Sequence, residues 1–166
     1  MMISYSRRAA LAMALSAPSF ALAGRHARRL EWGDLIPPGA SYAEIIGEGE
    51  IDYVADTWKP VYDANATKLN PALDGAYVRL PGYIVPLEFD ATGVTDFILV
   101  PYIGACVHYP PPPANQLVLV TITPSWPSSI LWDPVWVTGE MRTQINETDL
   151  AQIGYTLTAD KIKRYL

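Results

Sequence analysis

The sequence predicts a mainly β protein: a small five-stranded, OB-like, partly open barrel preceded by an irregular, partly helical N-terminal region. Three observations predict it. From Leu73 onward, five short segments are rich in β-branched and aromatic residues. Turn-forming Gly, Pro, Asn and Asp punctuate them at the spacing of a small barrel. The first segment is long and changes its apolar phase at Pro81-Gly82, as a strand does when it carries a bulge and turns a barrel corner.

The residues before the barrel divide at about position 23. Residues 1–23 carry Arg7 and Arg8, a moderately apolar run and Ala21-Leu22-Ala23. That is the order of a cleaved export signal, here of twin-arginine type. Ser16, Pro18 and Ser19 interrupt the apolar run, so a spanning helix is not expected. The expected location is the periplasm, with no stable membrane anchor once the signal is cut. Residues 24–72 form the irregular segment. Pro37-Pro38-Gly39 stops any regular element there, and Tyr42, Ile45 and Ile46 have helical spacing that Gly47 and Gly49 break. A short helical turn is expected between Asp52 and Trp58.

Within residues 73–166 the elements follow in order. Tyr77–Leu87 reads as the long first strand, with Val78 and Leu80 on one face and Tyr83, Val85 and Leu87 carrying the phase beyond Pro81-Gly82. Ala91-Thr92-Gly93 is a turn, and Thr95–Tyr102 is a second strand, apolar on both faces. Gln116–Thr123 is the third strand and Val135–Met141 the fourth. Asn146–Gly154 has an N-cap, an acidic first turn and a closing glycine, which predicts a short helix. Tyr155–Leu157 is a short fifth strand, and Thr158 is expected to cap a last helical turn through Ile162 and Tyr165. The barrel is expected to pack with residues 24–72 as one domain.

Composition excludes some functions. The 166 residues carry 12 Lys+Arg against 17 Asp+Glu, a net charge of −5. Loss of Arg7 and Arg8 with the signal leaves 10 basic residues and a charge of −7. An acidic domain repels phosphate backbones, so nucleic acid is not an expected partner. The single cysteine rules out an internal disulfide. No phosphate-binding glycine loop, serine elbow or metalloprotease motif is present.

The chemistry concentrates in Ala105–Gln116, ACVHYPPPPANQ. Cys106 and His108 stand two apart, so in an extended chain both face one side. Thiolate and neutral imidazole are good zinc ligands, and zinc is the cofactor this pair suggests. Glu88, Asp90, Asp96 and Asp133 are the carboxylates weighed as further ligands, with His26 as the other histidine. Tyr109, Pro110, Pro111, Pro112, Pro113, Asn115 and Gln116 form the candidate ligand- or partner-binding surface, since prolines hold the backbone near polyproline II and aromatics beside prolines make grooves. Two alternatives stand beside this. One is a thiol enzyme using Cys106 and His108 as nucleophile and base. The other is a structural or partner-binding module in which Cys106 is a small buried hydrophobe and Asn115 and Gln116 cap loop carbonyls. Trp126, Trp132 and Trp136 around the later proline-rich loop are read as groove or as packing.

Leu73-Asp74-Gly75, Val78–Tyr83, Val85–Glu88, Leu99–His108, Pro110–Gln116, Val135–Gly139 and Gly154-Tyr155 together resemble one bacterial family, the domain of unknown function 3299. Trp32 with Leu35-Ile36-Pro37 fits as well, so the resemblance covers most of Leu30–Tyr165. It implies an exported protein and, for some members, a link to zinc homeostasis beside a MacB-like ABC transporter. Some relatives are lipoproteins, whereas this signal contains no cysteine for a lipid. The reading is therefore a periplasmic, non-enzymatic accessory or binding protein that uses the Cys106–Gln116 loop.

Overall fold

A computed structural model describes residues 25–54, 57–105, 111–127, 131–148 and 150–165. The expected export signal lies outside the described residues, as do Cys106, His108, Tyr109 and Pro110. Among the described residues there are eight strands: β1 (Arg28–Arg29), β2 (Ile45–Asp52), β3 (Thr57–Tyr62), β4 (Tyr77–Phe89), β5 (Val94–Val100), β6 (Val118–Trp126), β7 (Pro134–Glu147) and β8 (Gln152–Arg164). The helical content of the described residues consists of 3-10 turns at Trp32–Leu35, Pro71–Leu73 and Ala114–Gln116.

The main sheet runs β1-β4-β5-β6-β8-β7, and β4 also pairs with β7. That pairing closes β4, β5, β6, β8 and β7 into a five-stranded barrel, closed where a partly open one was expected. Counted along the barrel, the order is first, second, third, fifth, fourth, with β6 and β8 parallel, which is the OB-type arrangement. The bend in β4 has a different origin from the expected bulge at Pro81-Gly82. Its register with β7 is continuous from Tyr77↔Glu140 to Tyr83↔Pro134. β4 then changes partner and pairs with β5 from Tyr83 on, with register shifts only around Glu88.

Apolar residues on both strand faces serve two cores. Phe97 and Leu99 of β5 and Val118, Val120 and Ile122 of β6 point into the barrel. Ile98 and Val100, on the opposite face of β5, join Val85, Ala105, Leu117 and Ile153 in a second cluster outside it. This explains the phase slip in β4: Leu80 and Ile84 fill the barrel, whereas Val85, with Tyr83 and Leu87 against it, belongs to the outer cluster.

Three expected helical stretches are strands. Where a helical turn was expected between Asp52 and Trp58, β2 and β3 pair antiparallel as a hairpin. The helix expected at Asn146–Gly154 is the end of β7, a tight turn and the start of β8, and the last helical turn is the rest of β8. The N-terminal segment is fastened to the barrel. Leu30, Leu35 and Leu73 are fully buried in the barrel core. The Tyr155 hydroxyl donates to the Leu35 carbonyl and accepts from the Asn70 N–H at 2.6 Å.

Candidate functional site

β5 and β7 both run antiparallel to β4. The connections that leave them, residues 101–117 and 148–151, therefore emerge at the same end of the barrel. Between them and β3 lies a cleft of about 490 Å³. One wall is Lys59–Tyr62 with Asp63, a second is Pro111–Ala114, and a third is the β7–β8 turn with Glu147, Thr148 and Gln152. The proline run that follows the cysteine–histidine pair in sequence is thus a wall of this cavity. Tyr62 Oη donates to the Pro111 carbonyl at 2.6 Å and fixes β3 against that run. Burial, and then the neighbouring Tyr42 and Tyr102 phenols, push the Tyr62 hydroxyl up to about 12. Burial first and Tyr102 second also raise Tyr42. Tyr42 and Tyr62 stay neutral at physiological pH.

The predicted site residues separate into two roles. Pro111, Pro112 and Pro113 line the cleft. Asn115 and Gln116 are buried behind it and engaged by backbone. Asn115 Nδ2 donates to the carbonyls of Asn65 and Lys68 at 2.9 and 3.1 Å, and its N–H donates to the Ala66 carbonyl at 2.9 Å. Gln116 Nε2 donates to the Trp32 carbonyl at 3.2 Å and to that of Asn115 at 2.9 Å. Both amides therefore tie the proline run to the N-terminal segment. Asn115 Oδ1 is buried with no hydrogen-bond partner among the described residues. Ala105, just before Cys106, is fully buried in the outer cluster, so the chain enters the motif from a packed position.

The carboxylates weighed as zinc ligands are dispersed. Glu88 lies at the C-terminal end of β4 and Asp90 in the turn after it, and Asp133 directly precedes β7. The Asp90 carboxyl is held below its usual value mainly by the Thr92 hydroxyl and N–H. Asp133 accepts from Trp126 Nε1 at 3.2 Å and faces Arg164 at 3.7 Å. Asp96 accepts from the Thr121 hydroxyl at 2.8 Å. Asp63 and Glu147 are the carboxylates lining the cleft, and sequence reading missed them because their approach depends on where β3 and β7 end. Among the described residues, no three His, Cys, Asp or Glu side chains gather as a metal site. The three tryptophans form no common groove: Trp126 meets Asp133, Trp132 packs on the outer cluster, and Trp136 lies under Arg29 and Arg79.

Fold and cleft define an OB-type barrel with a cleft at one end, walled by β3, by Pro111–Ala114 and by the ends of β7 and β8. Residues 32–164 match the family model described as "Protein of unknown function (DUF3299)". The chain belongs to that family. It is also similar to a solved DUF3299 family protein from Pseudomonas aeruginosa PAO1, at 36% identity and a TM-score of 0.68, covering 85% of this chain and 97% of that one. No curated protein matches this chain.

Proposed function

We propose that this protein is a periplasmic, non-enzymatic binding protein whose ligand engages the Cys106–Gln116 loop at the cleft, with Zn²⁺ as the leading ligand. The observation that carries the reading is the cleft itself: its middle wall, Pro111–Ala114, continues directly from the cysteine–histidine pair. A thiolate and an imidazole supply two of the ligands that tetrahedral zinc takes, and Asp63 or Glu147 is the carboxylate donor at the same end. The export signal in the sequence supports the compartment.

Calorimetric titration of the mature chain, thiol reduced, tests it. Zn²⁺ is expected to bind one per chain, to release protons as the thiol ionises and to raise the melting temperature. Cys106→Ser keeps the size and removes the soft ligand, so most of the affinity should go. No heat beyond dilution and no melting shift would overturn zinc as the ligand.

A partner protein of the envelope, such as the MacB-like transporter that the family resemblance implies, is the second reading. The elements around the cleft support it by exposing an apolar set: Tyr42, Ile46 and Val61 on the hairpin side and Ile103 on the loop are between 48% and 67% exposed. Exposed apolar residues gathered in one region mark interaction surfaces.

A further inference from the structure

A second cavity lies on the barrel wall, away from the cleft. It measures about 220 Å³ and is lined by Arg25, Tyr77, Arg79, Trp136, Lys161 and Lys163, among others. The strand registers build it. Arg29 stands beside Arg79 across β1–β4, Arg79 opposite Thr138 across β4–β7, and Thr138 opposite Lys161 across β7–β8. Trp136 stands opposite Lys163 in the next row. Neighbouring strands lie about 4.8 Å apart, so four cationic side chains from three strands share one small area of an acidic protein.

The indole of Trp136 organises two of them. The Arg79 guanidinium lies 4.4 Å from the ring centroid and that of Arg29 4.9 Å. Tyr165 stacks on the same ring at 5.4 Å. A guanidinium held by its face on an aromatic ring keeps its in-plane N–H donors free, in the fork that fits two oxygens of an oxyanion. The nearby acids are already engaged. Glu140 accepts from Arg25 at 3.3 Å and from Arg142 at 2.6 Å, and Asp160 accepts the Tyr77 hydroxyl at 2.9 Å. Among the described residues, no carboxylate pairs with Arg29, Arg79, Lys161 or Lys163. Like charges on adjacent strands repel, and an anion seated among them would relieve that repulsion.

We propose that this cavity is a binding site for phosphate groups, held by the Arg79 guanidinium and the Lys161 and Lys163 ammoniums that line it, with Arg29 beside them over the same Trp136 ring. The phosphate would come from a soluble polyphosphate or from a phospholipid headgroup, and two arms distinguish the sources. In the first, pyrophosphate is titrated calorimetrically into the mature chain. In the second, the chain is sedimented with phosphatidylglycerol vesicles and, separately, with phosphatidylcholine vesicles.

Binding of pyrophosphate, or of phosphatidylglycerol but not phosphatidylcholine vesicles, is expected, and either should weaken as salt is raised. Arg79→Gln should weaken it by about tenfold or more, the loss of a charge-assisted hydrogen bond. Lys68→Gln removes the same charge outside the cavity and should bind as the wild type does. If Arg79→Gln lowers the melting temperature, the exposed Lys161→Gln serves in its place. Absence of binding in both arms, or binding unchanged by Arg79→Gln and Lys161→Gln, would overturn the proposal. Equal weakening by Lys68→Gln would also overturn it, because attraction by overall charge would then suffice.

Discussion

Asn115 carries more of the cleft's geometry than its place in a proline-rich loop suggests. It is fully buried, and its amide spans the carbonyls of Asn65 and Lys68. Asn115→Ala leaves both carbonyls without that donor. The expected loss is about 1–3 kcal/mol, the cost of stranding buried polar groups, read as a lower urea midpoint with an unchanged slope. Tyr62 offers a test by pH. Its hydroxyl is raised to about 12 by burial and by Tyr42 and Tyr102, against about 10 in an unfolded chain. A raised folded value means that the neutral form is favoured in the fold. The resulting stabilisation is complete below pH 10 and is lost as pH climbs toward 12. Melting temperature should therefore fall over that range in the wild type and fall less in Tyr62→Phe, which also gives up the bond to Pro111. Asn-Gln after a tetraproline was legible as a loop that needs polar support. Which carbonyls it would support was not, because Asn65, Lys68 and Trp32 lie about fifty or more residues away in the chain.

Among the elements, β8 departs most from expectation. Asn146–Gly154 carries helix-capping chemistry, yet the chain turns and continues as a strand. Thr148 satisfies the turn itself: its Oγ donates to the Ala151 carbonyl at 2.8 Å and accepts from the Ala151 N–H at 3.0 Å. The same side-chain-to-backbone chemistry that caps a helix also closes a short turn. The deciding signal was the alternation of Tyr155, Leu157 and Ala159, all buried in the barrel core. Gly154, readable as a helix stop, instead permits a close approach. A Cβ there would lie 2.7 Å from the Ala114 carbonyl oxygen and 2.7 Å from Leu69 Cδ2. Gly154→Ala should thus push β8 off the turn that follows the proline run, at about 1–3 kcal/mol. Gly33 has nothing within 4 Å of such an atom, so Gly33→Ala should stay within about 0.5 kcal/mol. Thermal unfolding of the two variants side by side checks both.

For the molecule as a whole, Leu30 and Leu35 of the N-terminal segment belong to the barrel's core. Leu30 and Leu35 are fully buried in the barrel cluster, and deleting such a leucine side chain costs about 2–5 kcal/mol. Losing both approaches the whole stability of an ordinary domain, about 5–15 kcal/mol. A chain truncated to begin at Leu73 should therefore lose its cooperative thermal transition; a sharp transition near the full-length temperature would show an independent barrel. Several features were decided by the sequence alone. Five segments had to be strands, because side-chain alternation is imposed locally by backbone geometry. Two of them, apolar on both faces, had to be covered on both sides, and Cys106 with His108 had to lie on the connection between them. The tertiary structure decided the rest. It set the switch of β4 from β7 to β5, the parallel pairing of β6 with β8 and the approach of β3 to the proline run. It also gathered Arg29, Arg79, Lys161 and Lys163 around Trp136. The physical reason is that a strand's hydrogen-bonding edge is nearly the same for every sequence. Partner and register are chosen by which distant side chains bury together, and local composition holds no record of that choice.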